Sequence, residues 1–521
     1  MVLISAVIWC ALVLLLAYRF YLNNIKRLPN YPPGPPRLPL LEDYALLLLL
    51  NYRHLHRAAR KLANYYHTKL LGLSLVGFPA IIVQDHEIAR KILTRREFDG
   101  RPDLFLARLR QKEFKQRGLN FIDGSVWKDQ RWFFLRHLRD YGFGRRSAPY
   151  ELEVEDELQQ LVEQLTSGKR YEYESDFMQD GGFVKCPDVF LVSLGNIFLQ
   201  VVSGERYQRA TAKSLVHVGR KGLEFLRNAD DYGTVYSFFP WLRFVFPFNI
   251  RYNTMRDGML RVSSFLETII QKEQQTFDPS NPRHFIDVYL REMQNHIPQE
   301  DEPSFQYDQL VLGLADCYLP GTSGTAVQLA MVLERLLLNP DVMKRMQQEI
   351  DDVVGSGRLP TLSDREKLPY TEATLRECLR IDTLIPSGIV HRTVQNTTIE
   401  DYNIPENTLL LFDLDGINNE PKMWGDPLTF RPDRFLDEAG RLVLSKDRSL
   451  SFSAGKRECP GQTYTRNTMF LVLATLMQRF DLRQRGSDRM PDIAKRRTAL
   501  IHGPDDFWIG FIPRPVNGGS Q

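Results

Sequence analysis

The 521-residue chain reads as a mainly α protein with a small β-rich part, an α+β arrangement. Helical patterns run through most of it, the longest from Asp308 to Asn339. Strand-like runs are few and short: Ala80 to Val83, and the apolar residues of Tyr402 to Phe412 around Pro405 and Asn407. The polar stretches Asp278 to Pro282 and Gln299 to Pro303 read as surface connections, because helical patterns resume at once on either side. Residues 42–521 therefore read as a single domain.

In chain order, Val2 to Leu22 is almost uninterrupted apolar sequence, broken by Ser5 and Arg19. About twenty such residues span a bilayer core, and Arg19 is placed to snorkel to the interface. A cleaved signal peptide would want a basic first segment and a small-x-small cleavage site, and neither is present. Residues 2–22 are thus expected to be a transmembrane anchor. Lys26 and Arg27 just past it keep the bulk of the chain cytoplasmic. Residues 23–41 form a hinge whose prolines (29, 32, 33, 35, 36 and 39) make a stiff, extended spacer.

Asp308 can cap the longest helix, and Asn339-Pro340 ends it, giving a length of roughly 45 Å. Between Val311 and Leu333 its only charge is Asp316, so a second membrane span is the competing reading. Pro320, Gly321 and Gly324 argue instead for a core helix with a local distortion.

Composition excludes several classes. A net charge of only +3 gives no nucleic-acid footprint. Five scattered cysteines with no Cys-x-x-Cys pair argue against a disulfide framework and for a reducing compartment. One thiol is then free to serve as a ligand.

Cys459 is that thiol. It sits in Phe452-Ser-Ala-Gly455-Lys-Arg457-Glu-Cys459-Pro-Gly461. Gly455 and Gly461 permit the close backbone approach that wrapping a sulfur against a flat cofactor requires. Freed N–H groups can tune a bound metal, and Arg457 can pair with an acidic cofactor edge. The bland alternative is a buried cysteine in a turn.

Glu377 and Arg380 share a helical face, a pairing that is usually a solvated surface bridge. Arg434, in Phe430-Arg-Pro-Asp-Arg-Phe435, could turn the pair into a buried structural network of Glu377, Arg380 and Arg434. Trp127 and Arg131 also share a face, on a basic helix with Lys128, Arg136 and Arg139. They suit a grip on a carboxylate; otherwise the helix is a basic surface able to attract an acidic partner.

These features, in this order, resemble the cytochrome P-450 superfamily, the haem-thiolate monooxygenases, in its animal microsomal form. The resemblance covers essentially the whole chain and implies that fold, with the long central helix lying over the haem. It implies haem b as cofactor, with Cys459 as the iron's axial ligand. Trp127, Arg131, His391 and Arg457 would bind haem propionates, and Phe452, Gly455 and Gly461 would shape the loop. It also implies O₂, an NADPH-cytochrome reductase, cytochrome b5 as a further partner, an apolar small-molecule substrate, and attachment to lipid of the endoplasmic reticulum membrane. The family's central helix usually carries an acid followed by threonine; here Ser323 and Gly324 stand in those places, leaving Thr322, Ser323 and Thr325 to organise water. The expected activity is monooxygenation. A haem-thiolate isomerase or dehydratase acting on a peroxide, and a haem-binding protein of low activity, are the alternatives. The resemblance also puts residues 103–123, 207–250, 312–320, 385–390 and 498–505 around the substrate.

Overall fold

The structure is a computed structural model that describes residues 9, 11–15, 18, 28–36, 42–230, 232, 234–295, 304–486 and 492–515. Most of the expected anchor, much of the hinge and the Gln299–Pro303 connection fall outside these residues. Among the described residues no helix is long and apolar enough to cross a membrane. The chain is mostly helical with small sheets, and it forms two compact units, each built from separate stretches.

The first unit comprises Met1–Pro102, Pro386–Ile417 and Ala454–Arg457. Its helices are α1 (Glu42–Asn51), α2 (Leu55–Tyr65) and α3 (His86–Thr94). Its sheet has strands β1 (Leu70–Leu75), β2 (Phe78–Val83), β3 (His391–Arg392) and β4 (Leu409–Phe412) in the order β1-β2-β4-β3. β1 and β4 are buried along their whole length, which suits their largely apolar sequence. β2 runs parallel to β4, with Ile82 opposite Leu411, and β3 antiparallel to it, with His391 opposite Leu410. The Tyr402–Phe412 run is two strands. Tyr402–Ile404 pairs with Thr397–Ile399, and the chain then turns through Pro405 and Asn407, whose φ is 63°, before entering β4. α3 starts where the Asp85 carboxylate accepts from the Glu87 and Ile88 N–H groups.

The second unit comprises Asp103–Ile385, Asn418–Ser453 and Glu458–Gln521. Its main helices here are α4 (Gly124–Asp140), α5 (Lys213–Asn228), α6 (Phe248–Gln274), α7 (Tyr307–Leu319), α8 (Thr325–Leu338), α9 (Pro369–Ile381) and α10 (Gln462–Arg479). An antiparallel sheet joins Met178–Gln179, Phe183–Cys186, Phe507–Pro513 and Phe480–Gln484 in that order. α7 is buried from Gln309 to Leu319, as expected of a helix apolar on every side. Asp308 does not cap it. Gln306 is the cap residue, and Asp308 lies in the first turn, accepting from Arg117 Nε at 3.0 Å. The distortion falls at Pro320–Gly324, one π-helical turn in which the Thr325 N–H reaches back to the Pro320 carbonyl. Proline's missing N–H breaks the regular ladder, and the flanking glycines allow the wider turn.

Candidate functional site

Cys459 stands at the end of its loop in the second unit. Its N–H donates to the Phe452 carbonyl at 2.9 Å, closing the loop on itself. Burial pushes the Cys459 thiol up, while the Gly461 N–H bonded to the sulfur and the Arg131 charge act the other way. Cys186, Cys317 and Cys378 are buried, whereas Cys459 is the partly exposed residue of these four. On α4, Arg131 lies 5.9 Å from the ring centre of buried Trp127 and donates to the Glu458 carbonyl at 2.7 Å, beside the cysteine. Gly461 caps α10, and Phe452 lies beneath the Arg466 guanidinium at 5.0 Å.

The loop's entry is held by a buried network. Glu377 Oε1 accepts from Arg380 Nη2 at 2.9 Å, Arg434 Nε at 2.9 Å and the Arg431 N–H at 3.0 Å. Its Oε2 accepts from Arg380 Nε at 2.8 Å. Glu377 and Arg380 are both 0% exposed. Arg380 Nη1 donates to the Asn418 carbonyl, and the Asn418 side chain accepts from the Leu450 N–H at 2.7 Å. Ser451 Oγ then donates to the Leu379 carbonyl of α9 at 2.8 Å. The next residue, Phe452, receives the Cys459 N–H. The three charged side chains thus act on the loop through its lead-in rather than through the sulfur.

In the first unit, Gly455 and Arg457 belong to a second cluster. Gly455 has φ +73°, and a Cβ there would lie 1.9 Å from the Leu93 carbonyl oxygen of α3. No other residue fits. Arg457 Nε donates to the Asp99 carbonyl at 2.8 Å. His391 is buried, with Nδ1 2.8 Å from the Phe98 carbonyl; a carbonyl only accepts, so Nδ1 carries the hydrogen. Burial, then the charges of Arg101 and Arg457, hold the His391 imidazole well below its ordinary range and therefore neutral. Arg101 is the member that sequence reasoning missed. It is buried and donates to the Val390 carbonyl at 2.9 Å, next to His391. Its one sequence signal is the turn-like Gly100-Arg101-Pro102, too common to single out.

The three hydroxyls of the distorted turn are all buried, and each donates to a backbone carbonyl. Thr322 bonds Tyr318 at 2.7 Å and Thr325 bonds Pro320 at 3.0 Å. Ser323 turns to Gly219 of α5 at 3.0 Å. Gly222, one turn on, lets the two helices approach there: a Cβ would lie 2.7 Å from Ser323 Oγ. Ser323 and Thr325 are therefore not gathered at one point.

Among the described residues no group of three or more His, Cys, Asp and Glu side chains could hold a metal ion. A lone cysteine whose sulfur accepts an N–H, in a loop closed by its own backbone, instead suits a metal whose other ligands come from a planar cofactor. The class so defined is a mainly helical protein fitted to hold a metal cofactor through one thiolate. A model of the cytochrome P450 family matches residues 32–508, and the chain belongs to that family. It is 29% identical to rat cytochrome P450 2J3, covering 94% of this chain and 92% of the relative. It is 28% identical to human cytochrome P450 2U1 (98% and 93% covered) and 30% identical to the silkworm Bombyx mori farnesoate epoxidase (93% and 94%). The protein is accordingly an oxidoreductase of the monooxygenase class, of the animal microsomal type, with haem b bound through a cysteine thiolate.

Proposed function

We propose that Cys459 is the axial ligand and that the protein inserts one oxygen atom of O₂ into an apolar small molecule with electrons from NADPH. The Gly461 N–H bonded to the Cys459 sulfur, in a loop closed by its own backbone, carries this reading. Trp127, Arg131, His391 and Arg457, with Arg101 added, are the groups we assign to the haem propionates. Bound haem supplies O₂ binding and reductive O–O cleavage, so that substrate, O₂, NADPH and a proton yield hydroxylated or epoxidised product, water and NADP⁺. The Gly461 N–H draws charge from the sulfur and tunes its donor strength. Thr325, its hydrogen given to Pro320, keeps lone pairs that accept from a water beside the π turn. Ser323, likewise donating, keeps its lone pairs on the side of the turn that faces α5.

A flavoprotein reductase, with cytochrome b5 as a second donor, delivers the electrons in this reading. Membrane attachment is supported by the exposed Trp241, Phe244, Phe246 and Ile250, 56–76% accessible and clustered in sequence, as an interfacial surface requires. The silkworm relative, named for epoxidising farnesoate, supports an isoprenoid among the apolar substrates. A second reading, peroxide isomerisation or dehydration without external electrons, draws on the hydroxyls being committed to carbonyls. Product formation that tracks NADPH consumption excludes it.

Cys459→His tests the ligand. The reduced carbon monoxide absorption band of thiolate ligation should disappear while haem is retained; an unchanged band overturns the assignment.

A further inference from the structure

Between Asp43 and Asp85 the chain carries no acidic residue, while Arg53, Arg57, Arg60, Lys61 and Lys69 fall inside that stretch, which includes most of α1 and all of α2 in the first unit. Two of the five cations are used internally. Arg60 Nε donates to Asp413 at 2.6 Å and its Nη2 to Asp415 at 2.7 Å, and Lys69 pairs with Asp85. Arg53, Arg57 and Lys61 meet no carboxylate among the described residues. α2 buries Leu55, His56, Ala58, Ala59 and Ala63. Arg57, Lys61 and Tyr65 follow one another at four-residue steps and so share a different face, while Arg53 stands in the turn that leads into the helix. The apolar residues beside these cations also lie outside the core. Of the leucines at 46–50 only Leu47 is buried; Leu49 is 83% accessible, and Tyr52 and Tyr65 are 69% and 75%. Arg53 stacks on Tyr52, 5.7 Å from its ring centre, which ties the apolar end of α1 to the cations.

A surface that only had to stay solvated would pair its cations and turn its leucines inward. An acidic protein would answer the charge and leave Leu49 in water. An anionic bilayer answers both halves. Headgroup phosphates and carboxylates take the guanidiniums and the ammonium, tyrosine rings sit at headgroup level, and leucine reaches the acyl boundary. We propose that the corner formed by α1 and α2 docks on the anionic phospholipid surface of the membrane through Arg53, Arg57 and Lys61. This rests on the membrane attachment proposed above and adds a selectivity to it, for the charge of the headgroup. Position favours the same partner: α1 begins at Glu42, directly after the proline-rich residues 23–41, so in an anchored chain it is the first helix past the hinge. Arg60, held between Asp413 and Asp415, takes no part.

The test uses the full-length, haem-loaded protein with vesicles of phosphatidylcholine alone or with about one-third phosphatidylserine. Flotation reads attachment. Docking is read by mass spectrometry as the rate at which an amine-reactive reagent acylates Lys61, relative to Lys91 of the same unit, whose side chain is 67% accessible. Lys61 should react about fivefold more slowly on the phosphatidylserine vesicles, and salt at about 0.5 M should remove the difference. The variant R53Q/R57Q breaks no ion pair, and its reduced carbon monoxide band checks folding. There Lys61 should react equally on both vesicles. Inorganic phosphate added to phosphatidylcholine vesicles should leave the rate unchanged. Equal rates on the two vesicles, slowing that survives in the variant, slowing by inorganic phosphate alone, or slowing by polyglutamate but not by phosphatidylserine each overturns the inference. Flotation with both vesicles at equal Lys61 rates keeps the attachment and removes the docking. Flotation with phosphatidylserine vesicles alone, with Lys61 slowed, upholds the docking and counts against a membrane span; flotation with neither overturns both.

Discussion

Replacing Glu377 with glutamine removes one charge and almost no volume, so the loss measured is electrostatic. The carboxylate accepts four N–H donors: two from Arg380, one from Arg434 and the Arg431 backbone. Glutamine keeps one acceptor oxygen, but its NH₂ group must face an arginine N–H or shed a partner. Two guanidiniums, 0% and 6% exposed, then lack their shared counter-charge. Breaking a buried ion pair by removing one partner costs about 3 to 5 kcal/mol, and the stacking of Arg380 on Trp424, at 4.9 Å, cannot replace it. Urea denaturation of the haem-loaded enzyme, which unlike guanidinium does not screen charge, should show that loss. Arg434→Met should cost less in the Glu377→Gln background than in the natural one, with a coupling of about 1 to 3 kcal/mol. A loss below about 1 kcal/mol, or strict additivity, would refute the network as the anchor of the loop's lead-in.

Gly324→Thr has room: a Cβ there meets Leu319, Leu384 and Pro320 only at 3.7–3.8 Å. It should fold normally and raise product per NADPH consumed by about twofold or more, since a positioned hydroxyl aids proton transfer; a fall would show that the native turn runs an adapted route. His391 gives a pH dependence. Its folded value is depressed, so its contribution to stability is complete above the unfolded value of about 6.5 and is lost as pH falls below it. Haem-depleted protein should therefore lose more stability between pH 7.5 and pH 5 than its His391→Gln variant, measured by urea unfolding; parallel losses would contradict the neutral imidazole.

What could be read from the chain was what local chemistry writes locally. A cysteine bracketed by glycines, an acid and a base one turn apart, and a long apolar helix interrupted by Pro320 each announce themselves within ten to thirty residues. Arg101 did not, because its partner Val390 lies 289 residues away and nothing beside it in sequence says so. Arg110 was hidden for the same reason: its buried partner, Asp316, lies 206 residues on. Asp308 looked like a cap because capping residues and first-turn acids share a composition; its carboxylate instead meets Arg117, again distant. The hydroxyls at 322, 323 and 325 were legible as residues but not as donors already committed, since the carbonyl that Ser323 finds belongs to another helix.

Gly455 has a bearing on how such a loop is probed. Its role rests on an atom that is not there: the Leu93 carbonyl fills the space a methyl group would take. Truncation scans measure a position by what its side chain contributes, and here there is nothing to truncate. Such a scan would credit Arg457 and Phe452 and leave Gly455 blank. Only the addition of a single carbon reports what that site enforces.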